Sequence, residues 1–138
     1  MTEPITGGCQ CGAVRYEITG PMKAVAHCHC SMCRKAHGAL FVSFGAVDNS
    51  NFKLSGEENL GDYESSEGGH RRFCKSCGGQ VIIHGEALGD ETFVALGSLD
   101  AGQTPGHDPA TETHIFWESK VDWYDPADGR KTVEGYGD

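Results

Sequence analysis

Seven cysteines fall into three short clusters, Cys9-Gln10-Cys11, Cys28-His29-Cys30-Ser31-Met32-Cys33 and Cys74-Lys75-Ser76-Cys77. Thiolates at these spacings are ligands for a soft divalent ion. Residues i and i+2 of a strand face one side, so each Cys-x-Cys presents two sulfurs to one ion, and Cys-x-x-Cys does the same from a turn. Gly12 and Gly78 follow two of the pairs and, lacking a Cβ, let the chain turn sharply around a metal. Four sulfurs complete a closed tetrahedral zinc site, whereas three leave a position open for water or substrate. The count therefore fits two zinc ions per chain, one structural and one catalytic.

Which four belong together is not set by chain entropy. Joining Cys9 and Cys11 to Cys74 and Cys77 closes a loop of about 60 residues at a cost of roughly 3–4 kcal/mol, and zinc supplies ~10–16 kcal/mol in small domains. Using Cys28 and Cys30 in place of the first pair saves only on the order of 1 kcal/mol. The closeness of Cys28, Cys30 and Cys33 in sequence favours a separate cradle for those three. A histidine would close that cradle. His37 is the candidate, because on a helix it lies one turn after Cys33 and on the same face. His27 and His29 alternate away from Cys28 and Cys30 if that stretch is extended. His70, His84, His107 and His114 stand alone in the sequence and read as packing or surface residues.

The elements that must position these ligands are mostly strands. Val14, Tyr16 and Ile18 alternate with polar neighbours, and Leu40, Val42 and Phe44 repeat at the same two-residue period. Further strands are expected over 52–54, 60–65, 70–74, 80–84, 92–97 and 113–118. One helix is expected over 31–37, with Ser31 as N-cap and Gly38 as its stop. Twenty glycines agree with many tight turns. Phe73, Phe93, Phe116, Trp117 and Trp123 are the aromatic bulk that a small β core needs. The stretch 100–111 reads as a long loop. A single zinc-binding domain over 1–125 is expected, with an Asp/Gly-rich, loose tail over 126–138.

Composition narrows the function. With 138 residues and a net charge of −9, the chain lacks the clustered cations that bind nucleic acid. Yet Arg15, Arg34, Lys35, Arg71, Arg72 and Lys75, six of eleven basic residues, lie within four positions of a cysteine. They balance thiolate charge or form a cationic mouth for an anionic ligand. No apolar run approaches the ~18 residues of a membrane span. The first residues lack the basic start and apolar run of a signal peptide, so a reducing cytoplasm is expected, where thiols bind metal rather than pair. Dinucleotide, P-loop and common hydrolase motifs are absent.

The clusters sit in a wider pattern. Gly7-Gly8-Cys9-Gln10-Cys11-Gly12-Ala13-Val14-Arg15-Tyr16-Glu17, His29-Cys30-Ser31-Met32-Cys33-Arg34-Lys35, Arg72-Phe73-Cys74-Lys75-Ser76-Cys77-Gly78, Gly97-Ser98-Leu99-Asp100, His114-Ile115 and Trp123 stand in a recognisable order. Over about 7–123 the chain resembles the glutathione-dependent formaldehyde-activating enzyme family, which also holds the domain of centromere protein V. The resemblance implies a β-tent of packed antiparallel sheets with zinc at their edges. It assigns Cys9, Cys11, Cys74 and Cys77 to a structural zinc and Cys28, Cys30 and Cys33 to a catalytic one. The implied activity joins a glutathione-like thiol to formaldehyde or a similar small aldehyde, giving S-hydroxymethylglutathione, a carbon–sulfur lyase reaction. The stretch 127–138 departs from the family's usual ending.

In that reading the open position takes the thiol as thiolate, and His29, His37 or a water protonates the alkoxide. Arg34, Lys35, Arg71 and Arg72 would hold the glutathione carboxylates. The alternative from another class is a zinc-stabilised interaction domain with no catalytic activity. A methionine sulfoxide reductase of the B type is disfavoured, because no cysteine follows Cys77 to act as nucleophile. Oligomeric state is not legible.

Overall fold

A computed structural model of the chain describes residues 3–137. In chain order the elements are β1 (Ile5–Gly8), β2 (Arg15–Ile18), β3 (Ala24–Cys28), α1 (Ser31–His37), β4 (Val42–Asp48), β5 (Phe52–Ser55), β6 (Leu60–Ser66), β7 (Gly69–Cys74), β8 (Gln80–His84), β9 (Glu91–Ala95), β10 (Thr113–Ile115) and β11 (Lys131–Thr132), with short 3₁₀ turns between some of them. The fold is mainly β.

The strands form two sheets. A three-stranded antiparallel sheet has the order β1-β2-β5, and an eight-stranded sheet has the order β11-β10-β3-β4-β9-β8-β7-β6. The larger sheet is antiparallel except at one edge, where β10 runs parallel to both β3 and β11. The two-residue strand period divides the larger sheet's side chains between two apolar layers. Val47, Ile82 and Val94 pack with Val14, Tyr16 and Ile18 in the main core. Their neighbours Phe44, Ile83, Phe93 and Ala95 join Cys28, Cys33 and Ile115 in a second cluster.

Two strands escape the sequence pattern. In β1 the pair Gly7-Gly8 looks like a turn, but a Cβ at Gly7 would collide with the Tyr16 hydroxyl and the Ser98 carbonyl. Glycine is there for close approach between layers rather than for a bend. In β3 the short Ala-Val-Ala run is too weak a signal, and pairing with β4 and β10 on either side supplies what propensity does not. The helix covers 31–37 as expected, and Gly38 ends it at φ 61°. Its N-cap is Cys30 rather than Ser31, with the Cys30 sulfur accepting the Cys33 amide. Ser31 is helical and exposed.

Three further expectations need correction. The stretch after Asp125-Pro126 is not loose: β11 pairs with β10, and the Val133 carbonyl and Gly135 carbonyl accept the amides of Trp117 and Phe116. The strand expected over 113–118 ends at Ile115, because Phe116 turns to φ 54°. Trp123 is 74% exposed; it lies among Asp122, Tyr124 and Asp125, in a segment with little apolar surface to pack on.

Candidate functional site

Cys9, Cys11, Cys74 and Cys77 come together although the two pairs are far apart in sequence, their sulfurs all within 4.8 Å of one another. Cys9-x-Cys11 is presented by a turn after β1, not by a strand, with the Gly12 amide bonded to the Cys9 carbonyl. Cys74 ends β7, and Gly78 follows Cys77 at φ 77°. The Cys9–Cys11 and Cys11–Cys74 sulfur separations are both 3.7 Å. A tetrahedron with metal–sulfur bonds of about 2.3 Å has edges of about 3.8 Å, whereas a disulfide is ~2.05 Å. The donor set is therefore compatible with zinc. Backbone amides of Val14 and Ser76 donate to the Cys9 and Cys74 sulfurs. The amides around Gly79 and Cys11 lower the Cys77 thiol to about 6.

Cys28, Cys30 and Cys33 form the second set, again within 4.8 Å of one another, and among the described residues no histidine or carboxylate joins them. Cys28 ends β3, Cys30 caps α1, and Cys33 lies in its first turn. The three thiols share charge. Hydrogen bonds from Cys28 and then Cys33 lower Cys30 to about 2, and the same contacts raise Cys28. His37 is not a member; its ring lies edge-on to Phe44 at 5.8 Å, and burial lowers it to about 4.

A cavity of about 700 Å³ opens beside these three sulfurs. Its walls include Ala26, Phe44, Ile83 and Phe93 from the sheet, with Phe116 and Tyr136 beyond. Another hollow, of about 860 Å³, touches Cys9 and His37 but none of the three cysteines. The smaller cavity is the one with reactive sulfur in its wall.

The cationic residues separate. Arg71 is 5% exposed, lines the cavity, and places Nη2 3.5 Å from the Cys33 sulfur. Its Nε donates to Ser65 Oγ at 3.0 Å, and its Nη1 is buried without a partner. Arg72, the next residue along β7, donates to Asp62 at 3.1 Å and Glu57 at 3.4 Å. Arg34 donates to the His29 carbonyl. Lys35 is exposed on α1. Arg15 is bound to Asp100, with Nη1–Oδ1 at 2.9 Å. Of the expected cationic mouth, only Arg71 stands at the three-cysteine set.

Two histidines that stand alone in the sequence, His107 and His114, meet His27 and His29 in space. His29 Nε2 and His114 Nδ1 are 2.8 Å apart, and His114 Nε2 reaches Asp128 Oδ2 at 2.8 Å. His27 bridges Ser43 and Glu112, and His107 meets the other Glu112 oxygen. His29 is stacked on Phe41 at 4.9 Å, and burial followed by the neighbouring His114 lowers it to about 4. Neither His29 nor His37 lines the sulfur-bearing cavity. This network was missed because its members are up to 85 residues apart; the His114-Ile115 motif was its one sequence trace.

Comparison with known proteins gives concordant findings. The family model described as "Glutathione-dependent formaldehyde-activating enzyme" matches residues 4–119. The chain is 33% identical over 72 residues to an uncharacterized lyase of Schizosaccharomyces pombe, a match covering 52% of this chain and 51% of the relative. It thus spans about half the length of that curated relative. A crystal structure of a Rhodobacter sphaeroides protein is similar, with a TM-score of 0.59 and 26% identity, covering 70% of this chain and 89% of that one.

Proposed function

The chain belongs to the glutathione-dependent formaldehyde-activating enzyme family, and on that premise we propose that it is a zinc-dependent enzyme of the carbon–sulfur lyase type. It adds a thiol such as glutathione to formaldehyde or a similarly small aldehyde. The observation that carries this reading is the three-cysteine set, with no fourth protein donor among the described residues, in the wall of a cavity. The four-cysteine set is assigned a structural zinc and the three-cysteine set a catalytic one.

Cys28, Cys30 and Cys33 would hold the zinc, which would supply an open position able to keep an external thiol as thiolate near neutral pH. The protein's own groups do the rest. The Cys33 amide donates to the Cys30 sulfur and favours its thiolate. Arg71 sets a fixed positive charge against the Cys33 sulfur and offsets an anionic shell. The thiolate sulfur forms a bond to the aldehyde carbon, the carbonyl π electrons move to oxygen, and the oxygen takes a proton from water. Arg71 Nη1, which has no partner among the described residues, is a donor in the same cavity wall for that developing charge. His29 and His37 are not assigned this step, since they lie outside the cavity wall.

The test is exchange spectroscopy with ¹³C-formaldehyde and glutathione. The zinc-loaded protein is expected to speed interconversion of free formaldehyde and S-hydroxymethylglutathione above the uncatalysed rate, and Cys30→Ser to abolish the increment. No increment with the wild-type protein refutes the enzyme and leaves a zinc-stabilised interaction domain.

A further inference from the structure

The sulfur-bearing cavity is an apolar space with very little charge to offer. Its sheet wall is built by the strand period: Ala24, Ala26 and Cys28 of β3 point the same way, beside Phe44 of β4, Phe93 of β9 and Ile83 of β8. Two cations line it, and between them they leave one buried N–H, Arg71 Nη1, without a partner among the described residues. Arg71 faces the Cys33 sulfur. Lys23 is bound to Asp48 at 2.9 Å and to Glu91 at 2.6 Å, and Glu91 is itself part of the lining.

Glutathione carries two carboxylates and an ammonium group. Placed in this cavity, they would lose water and find a single unpartnered cationic N–H, Arg71 Nη1, for two carboxylates, which is unfavourable. Formaldehyde and its adduct carbon occupy a small fraction of about 700 Å³. The walls match a different guest.

Resting on the thiol reading above, we infer that the thiol this chain prefers carries an apolar alkyl or aryl group, which fills the cavity while its sulfur reaches the three-cysteine set. Tyr136 is a specificity residue for it. That side chain is 68% exposed, stacks edge-on against Phe116 at 4.9 Å, and forms part of the cavity wall. It lies outside the family-matched residues 4–119. A longer apolar group extends from the sulfur towards it.

The experiment titrates the metal-loaded protein with ethanethiol, butanethiol, hexanethiol, hexanol and glutathione. Binding is read by NMR shifts of Ala26, Ile83, Phe93 and Ile115 and, in a cobalt-loaded sample, by the thiolate-to-metal absorption. The dissociation constant is expected to fall about fourfold per methylene, and hexanethiol to bind more tightly than glutathione. Tyr136→Ala, a change at an exposed position that leaves the core intact, should flatten the series at its long end and spare ethanethiol. A flat series, or glutathione binding as tightly as hexanethiol, overturns the inference. Hexanol shifting the same side chains as strongly as hexanethiol, with no absorption change for any thiol, upholds the apolar cavity and overturns the thiol reading alone.

Discussion

Arg71 brings the one fixed positive charge to a shell of three sulfurs, which with a divalent ion carries about −1 if all are thiolates. Replacing it with methionine removes that charge and keeps the volume. Thiol affinity of a cobalt-loaded protein should fall by about tenfold or more in Arg71→Met, as read from absorption titrations. Arg72→Ala should leave it unchanged, because Arg72 is held by Asp62 and Glu57. Sequence put these two arginines in the same role; strand alternation gives them opposite faces. Tyr16 carries a pH prediction. Burial pushes its hydroxyl up to about 12, against the partial relief of its hydrogen bond with Ser98. The folded state thus holds the proton to higher pH than the unfolded chain, so its contribution is intact below about pH 10 and lost as pH rises towards 12. Urea midpoints at pH 9 and 11.5 should drop for the wild type, the loss reaching about 2 kcal/mol, and drop less for Tyr16→Phe. Cysteine spacing made the ligands legible because both members of each pair are local. The histidine network was not, since His29 and His114 become neighbours only through the parallel pairing of β10 with β3.

At the scale of the element, α1 is a seven-residue helix whose N-cap, Cys30, belongs to the three-cysteine set. The Cys30 sulfur accepts the Cys33 amide at 3.3 Å, so the helix cap and the donor set are one object. Its other end relies on the left-handed conformation of Gly38, where an added Cβ meets no atom. Gly38→Ala therefore costs backbone strain alone, about 1 kcal/mol, and should lower the thermal midpoint while keeping metal content unchanged. The strands that alternate cleanly, such as β2 and β7, were readable from sequence. β1 and β3 were not: one owes Gly7 to the close approach of Tyr16 and Gly8 to that of the Val14 carbonyl, the other carries Cys28 towards the three-cysteine set and His27 towards the histidine network. Local patterns report burial on one face, and these two strands answer to contacts on both.

For the whole molecule, the two donor sets have different structural weight. Cys9 and Cys11 follow β1 of the small sheet, and Cys74 ends β7 of the large one with Cys77 just after it, so the four-cysteine set joins one sheet to the other. Cys28, Cys30 and Cys33 all belong to one short stretch from the end of β3 into α1. Cys74→Ser should accordingly abolish cooperative folding seen by circular dichroism. Cys30→Ser should fold and lose one metal equivalent by elemental analysis. Chelator should strip metal in two phases, with unfolding confined to one of them. The mainly β architecture and the sulfur groupings were legible from sequence; the cavity was not, because its wall combines seven strands and the stretch around Tyr136. That stretch sits outside the family-matched residues, yet closes one side of the cavity and places Asp128 against His114. Selection can therefore retune what the cavity admits by editing a peripheral strip of chain, while the metal-binding machinery stays constant: the guest list and the chemistry are inherited separately.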